Sequence, residues 1–320
     1  MIKTLTIAGI LAISTSSVYA RDQIQVTGSS TVLPYATIVA EAFGENFDFP
    51  SPVVEGGGSG AGRKKLCEGV GENTVDIANS SSKMKDEEWA KCEAAIGAIS
   101  EIRIGYDGIV FASNIDQLNI DDLTPAQLYN ALHESSTAKL WSDVDSTLPN
   151  IEILAYIPGT KHGTREVFDV KVMEAGCKTA LGVEKLDDDQ KKACVKVRTD
   201  GAAIDIDGDY TETLARLDAN KTALGVFGLS FYQNNTDKLE VSTVSGVAPS
   251  VETISSGDYP ISRPLYFYVK NAHIGVIPGL KEYVQFFISD EMAGPDSPLA
   301  QYGLVPDPEL AVTQATVASW

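Results

Sequence analysis

Gly28-Ser29-Ser30-Thr31-Val32-Leu33-Pro34 lies between a short β-like run, residues 24–27, and a stretch with helical spacing. A helix start leaves backbone N–H groups without partners and carries a partial positive charge, and Ser and Thr add hydroxyl donors beside it. Two further loops repeat the arrangement. Gly56-Gly57-Gly58-Ser59-Gly60-Ala61-Gly62 follows the β-like run 53–55, and Lys161-His162-Gly163-Thr164-Arg165-Glu166 follows the run 151–157. Any one of them alone is an ordinary cap or turn. Three at strand-to-helix junctions describe a cage of neutral donors whose natural guest is an oxyanion. The second loop has neither the Gly-Lys-Ser/Thr ending of a nucleotide phosphate loop nor the downstream acidic partner of a dinucleotide site.

Working outward, the 320 residues suffice for two α/β lobes, and 43% hydrophobic with 22% charged residues is an ordinary globular composition. Residues 1–20 read as a secretory signal peptide: Lys3, an apolar stretch over 5–13, a polar run and Val18-Tyr19-Ala20 as a small-residue cleavage signal before Arg21. The reading places the mature chain in the periplasm. Four cysteines agree with an oxidising compartment, and the expected disulfides are Cys67–Cys92 and Cys177–Cys194. Metal ligation is the competing use of those thiols, but their spacing is not that of zinc ligands. The three histidines (His133, His162, His273) are not arranged with them either, so no metal or other cofactor is expected.

A net charge of −19 argues against nucleic acid and anionic membrane surfaces as partners. It does not argue against a buried small anion, because exposed charges are screened over about 10 Å at 0.1 M salt while N–H donors act at contact.

Short β-like runs alternate with helical ones, the pattern of α/β layers. Thr124-Pro125-Ala126-Gln127 reads as a helix start with a capping box, and Leu280, Val284, Phe287 and Ile288 mark a late amphipathic helix. Two longer β-rich runs, 102–113 and 264–270, are expected to cross between lobes, so that the chain leaves the first lobe near Asp107 and returns near Arg263. The acidic stretch 184–189 reads as solvated surface.

These motifs, in this order, resemble the phosphate-binding proteins of bacterial high-affinity phosphate ABC transporters. The resemblance rests on Gly28 to Thr31, Gly57 to Gly60, Val75-Asp76-Ile77-Ala78-Asn79-Ser80-Ser81, and His162 to Arg165. It extends through Gly225-Val226-Phe227-Gly228-Leu229-Ser230-Phe231-Tyr232 and Arg263-Pro264-Leu265-Tyr266. It implies an α/β, two-lobed periplasmic binding protein fold of type II kind, with two crossover strands and a central ligand cleft. The implied lobes are residues 21–107 plus 262–320, and 108–261. It also implies a monomer that binds inorganic phosphate and delivers it to the permease subunits of an ABC transporter, without catalysis. Carried over by position, the phosphate ligands are Ser30, Thr31 and the Val32 amide, then Ser59, Ser81, Gly163 and Thr164.

Two departures from the family pattern shape the remaining expectations. Many members have Asp where this chain has Ser81, a carboxylate that accepts the proton of bound phosphate; Asp107 is the leading replacement, ahead of Asp200, Asp205 and Asp209. Many also place an Arg shortly before the third loop, where this chain reads Pro158-Gly159, so Arg165 is the candidate guanidinium. His162 replaces the family Ser, and Lys161 reads as a solvated loop residue. The alternatives are a binding protein for sulfate, molybdate or a phosphonate, and a secreted Ser/His hydrolase. The second lacks a Gly-x-Ser-x-Gly elbow and an acid partner for His162 in the sequence.

Overall fold

A computed structural model describes residues 21–160, 163–207 and 210–320. The expected signal peptide, Lys161, His162 and Asp209 lie outside the described residues. Strand β1 (Gln25–Gly28) leads through the first donor loop into helix α1 (Leu33–Asn46). Pro34 sits in the first turn of α1, where a missing N–H costs nothing. The helix then buries Tyr35, Ala36, Val39, Ala40 and Phe43, three or four residues apart on one face. β2 (Val53–Glu55) leads into α2 (Ser59–Leu66), and β3 (Ile77–Ser80) precedes α3 (Asp86–Ile96). β1 pairs in parallel with both β2 and β3, so the carboxyl ends of all three strands open on one edge of the sheet. That edge is where ligands bind in open α/β sheets.

β4 (Ile99–Asn114) is longer than the sequence suggests, because its 16 residues serve four partner strands. Through Gly108 it pairs antiparallel with Ser262–Lys270; from Ile109 it pairs antiparallel with Leu224–Gly228. The latter strand is parallel to Ala155–Pro158, which is parallel in turn to Ala203–Ile206. One continuous hydrogen-bonded path therefore runs through both halves of the molecule. Two apolar cores flank it. One gathers α1, the strand residues Ile102, Ile104 and Leu265, and the late helix Leu280–Phe287, with Phe43 edge-on to Tyr283 at 5.4 Å. The other gathers Ile109–Ala112 with Tyr156, Phe168, Phe227 and Tyr259. This is the two-lobed architecture expected from the motif order.

Local expectations fare well where the chemistry is local. Thr124 caps Pro125–Leu132 with both reciprocal bonds of the capping box, Gln127 N to Thr124 Oγ1 at 3.1 Å and Thr124 N to Gln127 Oε1 at 2.9 Å. The run 151–157 shortens to Ala155–Pro158, since Ile151 belongs to a turn that packs on Trp141. Cys67 bonds Cys92 and Cys177 bonds Cys194, and no described cysteine is free.

Candidate functional site

The three parallel strands β1, β2 and β3 bring the first two donor loops beside Ser81. Gly28 and Gly62 make this possible. A Cβ on Gly62 would lie 2.4 Å from Gly28 Cα, and one on Gly28 would lie 2.2 Å from the Asn79 carbonyl oxygen, at a φ of +136°. Only glycine lets α2 press against β1 so closely. Gly58 N then bonds Gly28 O at 2.8 Å, and Ser59 Oγ lies 3.1 Å from Ser81 Oγ while accepting the Ser81 amide at 3.0 Å. Arg63, one turn on, is buried; its Nη1 donates to Ser80 Oγ and to the Ser82 carbonyl and hydroxyl, and its Nε to Glu88. It fixes the 80–82 turn opposite α2.

In the first loop Ser30 is exposed, whereas Ser29 is buried and its hydroxyl accepts from the Thr31 amide at 3.2 Å and the Val32 amide at 3.4 Å. Ser29 thus closes the turn that leads into α1. Thr31 is fully buried, and its hydroxyl meets two partners from far along the chain: it accepts from Arg263 Nη2 at 2.7 Å and donates to the Glu166 carboxylate. Gly163 opens the short helix Gly163–Val167, where Thr164 is buried, as is Tyr210 from a later helix.

Arg165 goes elsewhere. Its guanidinium donates to Asp169 at 2.7 Å, to Asp205 at 2.8 Å and to the Pro158 carbonyl at 3.0 Å. Those partners tie the helix to its preceding strand, and none is one of the expected anion donors. The guanidinium that does reach one of them, Thr31, is Arg263 on Ser262–Lys270, 9% exposed. Its Nη1 lies 3.5 Å from Glu166 Oε1, and its Nε, which makes no hydrogen bond, lies 3.9 Å from Asp107 Oδ2.

Asp107 is completely buried, and among the described residues neither carboxylate oxygen has a hydrogen-bond partner. Burial raises its pKa to about 7; the Glu166 charge adds to the rise and Arg263 opposes it. Its two described rivals are engaged: Asp200 is paired with Arg198 and Asp205 with Arg165. An isolated buried carboxyl beside a half-satisfied guanidinium is poised to exchange a proton or hydrogen bond with a guest.

Known proteins resemble this chain over most of its length. A family model described as a PBP superfamily domain matches residues 14–291. The phosphate-binding protein PstS of Staphylococcus haemolyticus is 30% identical over 271 residues, 82% of this chain and 76% of the relative. That of Staphylococcus saprophyticus is also 30% identical, over 84% of this chain and 76% of its own. The chain belongs to the PstS family of the PBP superfamily. Among solved structures, a possible phosphate binding protein from Planctomyces limnophilus superposes with a TM-score of 0.72 at 25% identity, covering 93% of this chain and 98% of that one. An ABC-type phosphate transport receptor from Vibrio cholerae shares the fold with a TM-score of 0.56 at 20% identity, over 88% and 99%. The PstS family is one of substrate-binding transport proteins. Among the described residues no helix is long and apolar enough to cross a membrane, and no group of three or more His, Cys, Asp and Glu is placed to hold a metal.

Of the residues that matter most here, Arg263, Glu166 and Arg63 escaped a reading by donor loops, because each acts from outside the loop it serves. Arg263 stands inside Arg263-Pro264-Leu265-Tyr266, which carried the family resemblance and the return of the chain to the first lobe but gave no sign of an anion partner.

Proposed function

We propose that this chain binds inorganic phosphate outside the cytoplasm and delivers it to the permease subunits of an ABC transporter. The observation that carries the reading is the unpartnered, buried Asp107 carboxyl beside Arg263, whose guanidinium already reaches the Thr31 hydroxyl. Phosphate near neutral pH offers a proton to a carboxylate and oxygens to a guanidinium and hydroxyls; sulfate offers only the oxygens. Names and families of the relatives support the same ligand.

Thr31, Ser59, Ser81 and Thr164 are the hydroxyl ligands, with Ser30 at the rim and the Val32 and Gly163 amides completing the cage. Arg263 takes the role first given to Arg165, and Asp107 is the proton acceptor. The halves that close on the anion are residues 21–107 plus 262–320 and 108–261. The protein acts as a monomer after removal of residues 1–20, binds no nucleic acid and catalyses no reaction. Calorimetric titration of the dialysed mature protein with phosphate, sulfate, molybdate and a phosphonate tests this: phosphate must bind most tightly, and a preference for any of the others refutes it.

A further inference from the structure

The Thr31 hydroxyl carries one proton and can donate it once. Arg263 Nη2 points into its oxygen at 2.7 Å, and the proton goes to the Glu166 carboxylate. The other oxygen of that carboxylate lies 3.5 Å from Arg263 Nη1. Glu166 therefore occupies two donors at once, one from the first loop and one from the strand Ser262–Lys270, while itself belonging to the third loop. A carboxylate and an orthophosphate edge present the same chemistry to such donors, two oxygens sharing negative charge. An incoming anion cannot bond Thr31 until Glu166 lets go, and a carboxylate left beside it would repel it.

Resting on the phosphate-binding reading, we propose that Glu166 is a resident rival of the anion. It holds Thr31 and Arg263 in the ligand-free protein, draws the third loop toward the first, and leaves as phosphate enters. Glu166 is well suited to this: its side chain is 43% exposed, so it can rotate into water without leaving its own charge buried. The apparent affinity is then the intrinsic affinity reduced by the fraction of molecules in which Glu166 has let go. The rival sets a threshold, so that an anion too weakly charged to outcompete a carboxylate gains nothing from the site.

The test is Glu166→Gln in the full mature protein, which keeps the shape and removes the charge. Phosphate titrated calorimetrically should bind the variant about tenfold more tightly or better, and ligand-free small-angle scattering should give the variant the larger radius of gyration. If the parent binds phosphate and the variant binds it equally or more weakly, the rival role is overturned. If the parent binds no phosphate, the functional reading fails by itself, and the scattering comparison alone decides: an unchanged ligand-free radius refutes the latch, an increased one upholds it.

Discussion

Asp107 and Arg263 are direct partners across the antiparallel pairing of β4 with Ser262–Lys270, yet their nearest charged atoms stand 3.9 Å apart with no hydrogen bond between them. Both side chains are withdrawn from water without being satisfied by each other. A buried charge pair left this incomplete is costly, and a protein keeps such a cost where a ligand repays it.

The two arginines should separate cleanly. Arg263→Met removes a charge-assisted donor from the anion and should weaken phosphate binding by roughly 10- to 150-fold, with a modest change in melting temperature. Arg165→Met strands Asp169, Asp205 and the Pro158 carbonyl, so it should lower the melting temperature more than it lowers affinity. Titration and thermal unfolding of the pair check this, and the reverse ranking would return the anion-binding role to Arg165.

Sulfate does not titrate near neutrality, so its binding reports the state of Asp107. Below a pH of about 7 the carboxyl is protonated and can donate to sulfate; above it the carboxylate repels sulfate. Sulfate competition should therefore strengthen as pH falls through about 7. In Asp107→Asn, a permanent donor, sulfate should compete at every pH and the slope should vanish. A parent whose sulfate affinity is flat from pH 5.5 to 8.5 argues against Asp107 at the anion.

The same carboxyl governs stability of the ligand-free protein. Its folded pKa, about 7, is above the ordinary 3.8, so the folded chain holds a proton that the unfolded chain has released between those values. The stability it contributes is complete below the lower value and is lost as pH rises through the upper, on the order of 4 kcal/mol in all. Urea unfolding at pH 4.5, 6 and 8 should show that decline in the parent and a smaller one in Asp107→Asn.

Each disulfide closes a short segment, with separations of 25 and 17 residues, and loop-closure entropy assigns about 3 kcal/mol to each. Denatured exported protein should contain no titratable thiol. Replacing Cys67 and Cys92 with Ala should also loosen the binding edge, since Cys67 follows α2, whose first residue Ser59 bonds Ser81. Replacing Cys177 and Cys194 should cost stability with little loss of affinity.

What the sequence made legible was whatever depends on neighbours in the chain. The loops at Gly28 and Gly56, the helix start at Gly163, the capping box at Thr124 and the long strand through Asp107 all follow from local propensity and periodicity, and the structure contains them. The crossing strands were visible because 102–113 and 264–270 are longer β-rich runs than the others in the chain. What stayed hidden was pairing at distance. Nothing near Arg165 announces Asp205, 40 residues on, and nothing near Thr31 announces Arg263, 232 residues on. A charged side chain finds its partner through topology, which a donor-loop reading does not contain.

β4 passes from one core to the other with Asp107 two residues before its pairing changes hands at Ile109. Atoms on a pivot travel least when two bodies rock about it. If the two halves rock about this point, the Asp107 carboxyl proposed as the proton acceptor keeps its place while Thr164 and Glu166 swing. The proposed proton test at Asp107 would then need no movement of the halves: an ion without the proton would be refused at a fixed point rather than by the shape of the closed cleft.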